Sequence, residues 1–332
     1  MPYNVGMSHP EIIIPFALPP AEHAKDLVKL LASECASDGL AILLARHHAM
    51  QRSHHDDFSA ALPHEIWLAK NHGHNYLKNQ IGKLSLALAL GDGYWFVLQP
   101  VHLHIASNHL VLTDYRQLAL SEQDARALFV KAQTLCEEIG LQLVYGDSAH
   151  WFLRADGWSD LITTSIDAAC GHNIEIWSPT GKEALAWRKL QNEIQMEWFI
   201  HPVQEQRQLR AEKVINGLWL WSGTHIKQSD RAETTTQIRL NSSAHDCVQT
   251  PGPVILDQLS SAALASDWAT WVQIMTELER SWFKPLCTAL KTGQLKQINL
   301  LLSNSNTLLY VEASSNSLRK FWRSPNLNLL IS

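Results

Sequence analysis

Residues Trp187 to Gly223 read WRKLQNEIQMEWFIHPVQEQRQLRAEKVINGLWLWSG. Trp187, Leu190, Ile194 and Trp198 recur at i, i+3, i+7 and i+11, which predicts a helix with one apolar stripe. Asn192, Gln195 and Phe199 fall on a different face, so the rest of that helix is not simply solvated. His201-Pro202 ends it, because a proline ring clashes with the preceding turn and disfavours the α conformation of the residue before it. A second helix is expected from about Val203 to Glu212, with Arg207 and Arg210 on neighbouring turns. Leu218-Trp219-Leu220-Trp221 then reads as a strand buried on both faces, and Ser222-Gly223 is expected to close it.

Upstream, Glu11–Ala17 reads as a strand and Ala24–Ser37 as a helix. Leu40–Ala45 is either a strand or a second helix, since a short all-apolar run has no period to decide it. Residues 47–62 are polar and unpatterned, which predicts a mobile surface loop. Pro63–Asn71 starts a helix with proline in its first turn. From Leu84 the period becomes two. Leu84–Leu90, Tyr94–Leu98, Val101–Ala106 and Leu110–Thr113, with a Gly91-Asp92-Gly93 turn, predict an antiparallel meander. Ser121 caps a helix running to Ile139, with Asp124 three residues on as an imperfect capping box. Leu141–Tyr145, Trp151–Arg154 and Asn173–Trp177 read as further strands.

Downstream, residues 226–250 are polar and predict a flexible loop. Val254–Leu256 reads as a strand and Asp267–Lys291 as a long helix broken or kinked by Pro285. Ile298–Ser303 and Leu308–Ala313 read as a closing hairpin. An antiparallel meander with long helices and no regular βαβ alternation predicts an α+β or mixed α/β fold. Four parts are expected: an N-terminal α/β segment with a His-rich loop (1–82), a central domain (83–225), the loop (226–250), and a C-terminal helix and hairpin packing on the rest (251–332).

Composition narrows the class. Of 332 residues, 46% are hydrophobic and 18% charged, so the chain is globular. A net charge of −5 argues against a general nucleic-acid binder. Thirteen tryptophans point first to core packing, with a Trp-rich interaction surface as the competing reading. Five scattered cysteines, none in a Cys-x-x-Cys, favour a reducing compartment. The first residues lack a basic segment followed by an apolar run, so no signal peptide is expected. No apolar run is long enough to span a bilayer. A cytoplasmic protein without membrane or nucleic-acid partners is the expectation.

The run His201, Pro202, Val203, Arg207, Arg210, Asn216, Trp219, Trp221 and Gly223, preceded by Asn192, Glu193 and Gln195, resembles the archaeal-type cofactor-independent phosphoglycerate mutases. It is more similar to a bacterial group of RpfE-type regulatory proteins. The resemblance spans residues 94–223 and implies the substrate-side domain of those mutases. Gln204 stands where those families have Asn, Ala211 and Ser222 where they have Gly, and Val214 where they have Pro. By resemblance the substrate-binding set is Arg154, Asn192, His201, Arg207, Arg210 and Asn216. Such a site implies that Arg207→Ala leaves folding nearly intact while weakening anion binding. Guanidinium forks suit phosphate and carboxylate. The competing reading places Arg207 and Arg210 on a solvated helix face paired with Glu205 and Glu212, and pairs Arg154 with Asp156.

The chemistry of phosphoryl transfer needs clustered metal ligands and a nucleophile. No Asp-His dipeptide occurs, and Gly91-Asp92-Gly93 runs straight into a strand. No catalytic residue is therefore assigned. Nine of the 17 histidines precede residue 75, and His54, His55 and Asp57 are the metal candidates among them. A polar His-rich loop is the favoured alternative. His102 and His104 alternate about Leu103, so both point the same way on a strand, as a site or as a polar face. The function expected is a regulatory or ligand-binding protein without catalysis, taking a small phosphorylated or carboxylate ligand and possessing a protein partner. The alternative is an active phosphoglycerate mutase or related phosphatase, which would require Mn or Zn; otherwise no cofactor is expected.

Overall fold

The computed structural model describes residues 9–34, 39–73, 90–106, 109–227, 238–250 and 252–331. Two strands come first, β1 (Glu11–Ile14) and β2 (Ala49–His54). A middle block follows: β3 (Gly93–Val101), β4 (Leu103–Ala106), β5 (His109–Leu112), β6 (Gln142–Tyr145), β7 (Trp151–Arg154) and β8 (Gly217–Ile226). The chain closes with β9 (Arg239–Leu240), β10 (Pro253–Ile255), β11 (Gln297–Ser303) and β12 (Thr307–Ser314). The fold is mixed α/β, in two compact units.

The first unit comprises residues 1–58, 62–73 and 235–332. Its sheet has the order β2-β12-β11-β1-β10-β9. β11, β1, β10 and β9 run parallel, while β12 and β2 are antiparallel to their neighbours. Ile12, Ile13 and Ile14 have no solvent exposure, as a parallel strand covered on both faces requires. β1 lies between β10 and β11, so strands from residues 9–58 and 252–331 share one sheet. The apolar run 40–45 is a helix, Leu40–Ala45. β11 and β12 form the expected hairpin.

Two expectations are corrected in this unit and one is met. The stretch 47–62 is a loop only in part: residues 49–54 form β2, an edge strand paired along its length with β12, and residues 55–62 are irregular. An edge strand with mixed exposure carries no apolar period, which is why it read as a loop. Residues 238–250 hold β9 and a helix, Ala244–Gln249, whose Ser243 and Asp246 form a reciprocal capping box. The preceding residues of that expected loop, 228–237, lie outside the described residues. The long helix forms and is interrupted near Pro285 as expected: Trp268–Leu278 and Lys284–Thr292 are joined by a wider turn at Glu279–Phe283. Pro285 has no N–H to continue the ladder, and the turn absorbs the mismatch.

The second unit comprises residues 59–61 and 74–234. Its antiparallel sheet has the order β6-β7-β3-β8, and β4 and β5 pair separately. The meander of sequence neighbours is therefore not what forms. Trp95, Phe96, Val97 and Leu98 are all fully buried, so β3 takes a central position between two strands distant in sequence. The strand expected over Leu84–Leu90 falls almost wholly outside the described residues. The strand expected at Asn173–Trp177 is a helical turn that Asn173 caps through the Glu175 N–H.

The period of two along β3 and β8 divides the core. Phe96, Leu98, Leu218 and Leu220 pack against Trp187, Leu190, Ile194 and Trp198 of the helix Ala184–Phe199. Trp95, Val97, Trp219 and Trp221 pack on the opposite face with Phe152, Ile166 and Trp177. The four-residue stripe is the buried set of that helix, as its spacing predicts. Ten of the thirteen tryptophans are buried and only Trp322 is exposed, so a Trp-rich surface is not what they build. No described helix is long and apolar enough to cross a membrane. Cys136, Cys170, Cys247 and Cys287 are buried and unpaired.

β8 does not stop at Ser222-Gly223. The register steps from Val97 opposite Trp221 to Trp95 opposite Thr224, so Ser222 and Gly223 bulge against Phe96. A Cβ on Gly223 would lie 2.5 Å from the Phe96 ring. The helix Pro202–Leu209 ends with Ala211 at φ 56°. The Glu212 N–H bonds to the Arg207 carbonyl and the Ala211 N–H to the Gln208 carbonyl, a Schellman closure that suits glycine. Ser222 also has φ 56°. The two departures from glycine noted in the sequence thus both sit in the left-handed region.

Two stability changes of opposite sign are expected in denaturant melts. Ala211→Gly stabilises by about 1 kcal/mol, because a side chain in the left-handed region costs roughly 1–2 kcal/mol. Trp219→Ala destabilises by about 3–5 kcal/mol, since it opens a cavity and orphans the Thr164 carbonyl that its indole N–H holds at 3.0 Å.

Candidate functional site

The connection from the helix Pro202–Leu209 to β8 is held by three side chains. Gln204 spans Ile215 in both directions: its Nε2 donates to the Ile215 carbonyl at 2.6 Å, and its Oε1 accepts the Ile215 N–H at 2.9 Å. Arg207 is fully buried. Its Nε donates to the Lys213 carbonyl at 2.8 Å and one terminal nitrogen to the Leu118 carbonyl at 2.5 Å. The other terminal nitrogen faces Asp124 at 3.3 Å and Glu212 at 3.2 Å. Asn216 repeats the Gln204 pattern on the neighbouring strand: Oδ1 accepts the Leu103 N–H at 2.7 Å and Nδ2 donates to the Leu103 carbonyl at 2.9 Å.

Leu103 lies between His102 and His104, so Asn216 fixes the backbone that carries both imidazoles. The rings stack with centroids 6.1 Å apart and planes 10° from parallel. His102 Nδ1 lies 2.8 Å from the Val214 carbonyl and therefore carries its proton there. His104 Nδ1 meets the Thr113 hydroxyl at 3.1 Å. The Nε2 atoms are left as the nitrogens available to a ligand. Burial holds the His102 imidazole below its ordinary range, and the positive charges of Lys213, His104 and Arg207 push the same way. Lys213 is exposed. The result is a pair of fixed imidazoles at the start of β8 with the exposed Lys213 in the same connection.

The residues predicted from the sequence separate into different roles. Arg207, Arg210 and Asn216 come together, with His201 at the head of the same helix. Arg210 donates to Asp124 at 2.5 Å and to Glu212 at 3.0 Å. Their mutual hydrogen bond raises the Arg210 guanidinium and lowers the Glu212 carboxyl. His201 caps the helix by accepting the Val203 N–H, and partial burial, then Lys131, lowers its imidazole pKa. Asn192 is exposed on the helix Ala184–Phe199, and none of the three clamping interactions involves it. Arg154 pairs with Asp156 at 2.9 Å, whose other oxygen takes the Tyr94 N–H at 2.7 Å, a local tie between β7 and β3.

Arg207 therefore departs from its expected behaviour: a guanidinium without solvent exposure, bonded on all sides within the protein, serves the fold. Asp124, Gln204 and Lys213 were not singled out as ligands or ties. Asp124 was visible only as a capping residue, and it turns to the arginines while Ser121 accepts its N–H. The metal candidates are dispersed in hydrogen bonds: His54 to Thr307, His55 to Ser53, and Asp57 to Asn306. Among the described residues no group of three or more His, Cys, Asp or Glu is arranged to hold a metal ion.

Neither a protein-family model nor a curated protein matches the chain. Two solved structures are similar to it in their chain trace. The cofactor-independent phosphoglycerate mutase from Thermoplasma acidophilum has a TM-score of 0.43 at 10% identity, covering 98% of this chain and 95% of that one. The PH0037 protein from Pyrococcus horikoshii has a TM-score of 0.43 at 12% identity, covering 93% and 88%.

Removal of the buried guanidinium leaves Asp124 and two carbonyls short of partners. Arg207→Ala is expected to cost about 3–5 kcal/mol in a denaturant melt. Arg210→Ala, at the exposed side of the same cluster, loses much less. Equal losses for the two variants would refute the central place given to Arg207.

Proposed function

We propose that the chain is a cytoplasmic ligand-binding protein with a regulatory role, which takes a small phosphorylated or carboxylate anion at His102, His104 and Lys213 without turning it over. The observation that carries this reading is the stacked pair of imidazoles, clamped through Leu103 by Asn216, with the Lys213 charge acting on His102. A binding role without turnover is supported by the engagement of the nearby guanidiniums: Arg207 and Arg210 are consumed by Asp124 and Glu212, and Arg154 by Asp156. A glycerate phosphate is the ligand class that the sequence resemblance implies. A protein partner that reads the bound state belongs to the same reading.

Calorimetric titration with inorganic phosphate and with 3-phosphoglycerate tests it. Binding to the wild type is expected, weakened about tenfold or more by Lys213→Ala, because a charge-assisted contact contributes roughly 1.5–3 kcal/mol. The pH dependence has a fixed sign. His102 is depressed in the free protein, and an anion beside it raises its pKa. Binding therefore takes up a proton, and affinity rises as pH falls from the bound-state pKa towards the free-state value. An enolase-coupled assay with added Mn²⁺ should show no conversion of 3- to 2-phosphoglycerate. Robust conversion, or failure of both anions to bind, overturns the proposal.

A further inference from the structure

The helix Ala184–Phe199 is apolar on two faces. Opposite its buried stripe, Leu185, Met196, Phe199 and the following Ile200 are 75–84% exposed. Leu185, Lys189, Asn192, Met196 and Phe199 are spaced by four, three, four and three residues, the a/d spacing of a helix that pairs with another helix. Bare apolar side chains at this density mark an interaction surface rather than ordinary solvated surface.

We propose that the occupant of this face is a second copy of the chain, its helix antiparallel to the first about a twofold axis close to Asn192 and Glu193. Three observations select a like partner. The first is charge. The N-terminal half of the helix carries Arg188 and Lys189, and the C-terminal half Glu193 and Glu197. Antiparallel alignment sets Lys189 of each copy near Glu193 of the other, whereas parallel alignment sets like against like.

The second is shape. A hollow of about 240 Å³ lies along one flank, lined by Ile139, Leu141, Trp158, Ala186, Lys189 and Glu193, with Leu190 at its floor. At 100° per residue, Ile200 projects on the same flank as Lys189 and Glu193. Like flanks meet in an antiparallel twofold pair, so Ile200 of each copy comes against the hollow beside Ala186 of the other. A knob and its socket on one surface, related by such an axis, form an isologous contact. The third is size. Four large apolar side chains, each 75–84% exposed on one helix face, supply the apolar centre that a standard interface buries. Asn192 falls at the axis, where a polar residue facing its own copy fixes register.

Sedimentation velocity of the full chain over a wide concentration range decides the matter. The wild type is expected to dimerise. Ile200→Glu should raise the dissociation constant at least a hundredfold with an unchanged circular-dichroism melt. Lys189→Glu should also weaken the dimer, and Lys189→Glu combined with Glu193→Lys should restore it. A wild type that stays monomeric at every concentration, a dimer indifferent to Ile200→Glu, or no rescue by the charge exchange overturns the proposal.

Discussion

A guanidinium cannot be buried bare, and that requirement organises the second unit. Arg207 has no contact with water, so its hydrogen-bonding groups must be met by protein. The partners come from three places: the Leu118 carbonyl and Asp124 before and within the helix Glu122–Glu138, the Lys213 carbonyl in the connection, and Glu212 after the Schellman turn. Satisfying one side chain thus fixes the helix Pro202–Leu209 against the helix Glu122–Glu138 and sets the start of β8. Gln204 and Asn216 then extend the same logic with neutral amides, each pairing with a backbone N–H and carbonyl as a neighbouring strand would. Burial strengthens such bonds and makes each partial loss costly.

This has a consequence for function. Residue types that attract anions in sequence are the same types that satisfy carboxylates and carbonyls in a core. Arg154, Arg207 and Arg210 are committed to the second role, and the groups left open beside them are Lys213, to whose carbonyl Arg207 donates, and His102, whose imidazole reaches the Val214 carbonyl one residue on. Precision at a binding surface needs a supporting layer with locked side chains. The clamp is a layer of that kind beneath the surface proposed to bind the anion.

What the sequence made legible were features set by local period or local capping. The stripe of Trp187, Leu190, Ile194 and Trp198, the Ser121 cap, the break at His201-Pro202 and the two-faced burial of Leu218 to Trp221 each rest on neighbours a few residues away. The misread elements depend on distant partners. β2 is a strand because β12 pairs with it, not because its own residues alternate. β3 leaves its sequence neighbours for β7 and β8 because all of Trp95 to Leu98 must be covered. Asn173 favoured a capped turn over the strand that Ile174 to Trp177 otherwise resemble. In the site, Asn216 was legible as a residue and not as a clamp, because its partner Leu103 is 113 positions away. The burial of Arg207 was not legible for the same reason: nothing near it in sequence shows that Asp124 and the Leu118 carbonyl close over it.

The strained positions show the order of dependence. Ala211 and Ser222 lie on either side of the clamped connection and the buried half of β8, and both hold a conformation that costs a side-chain-bearing residue roughly 1–2 kcal/mol. Strain of that size persists only where the surroundings leave no alternative. On one side the constraint is the Schellman closure that delivers Glu212 to Arg207. On the other it is Phe96, whose ring fills the space a Gly223 side chain would need and so fixes where the bulge must fall. Between them, Lys213 to Trp221 cannot slide by one residue. A slip would exchange the leucine and tryptophan faces of β8, move Asn216 off Leu103, and release the backbone between the two histidines. The register of a single strand therefore joins the core to the surface proposed to bind the anion.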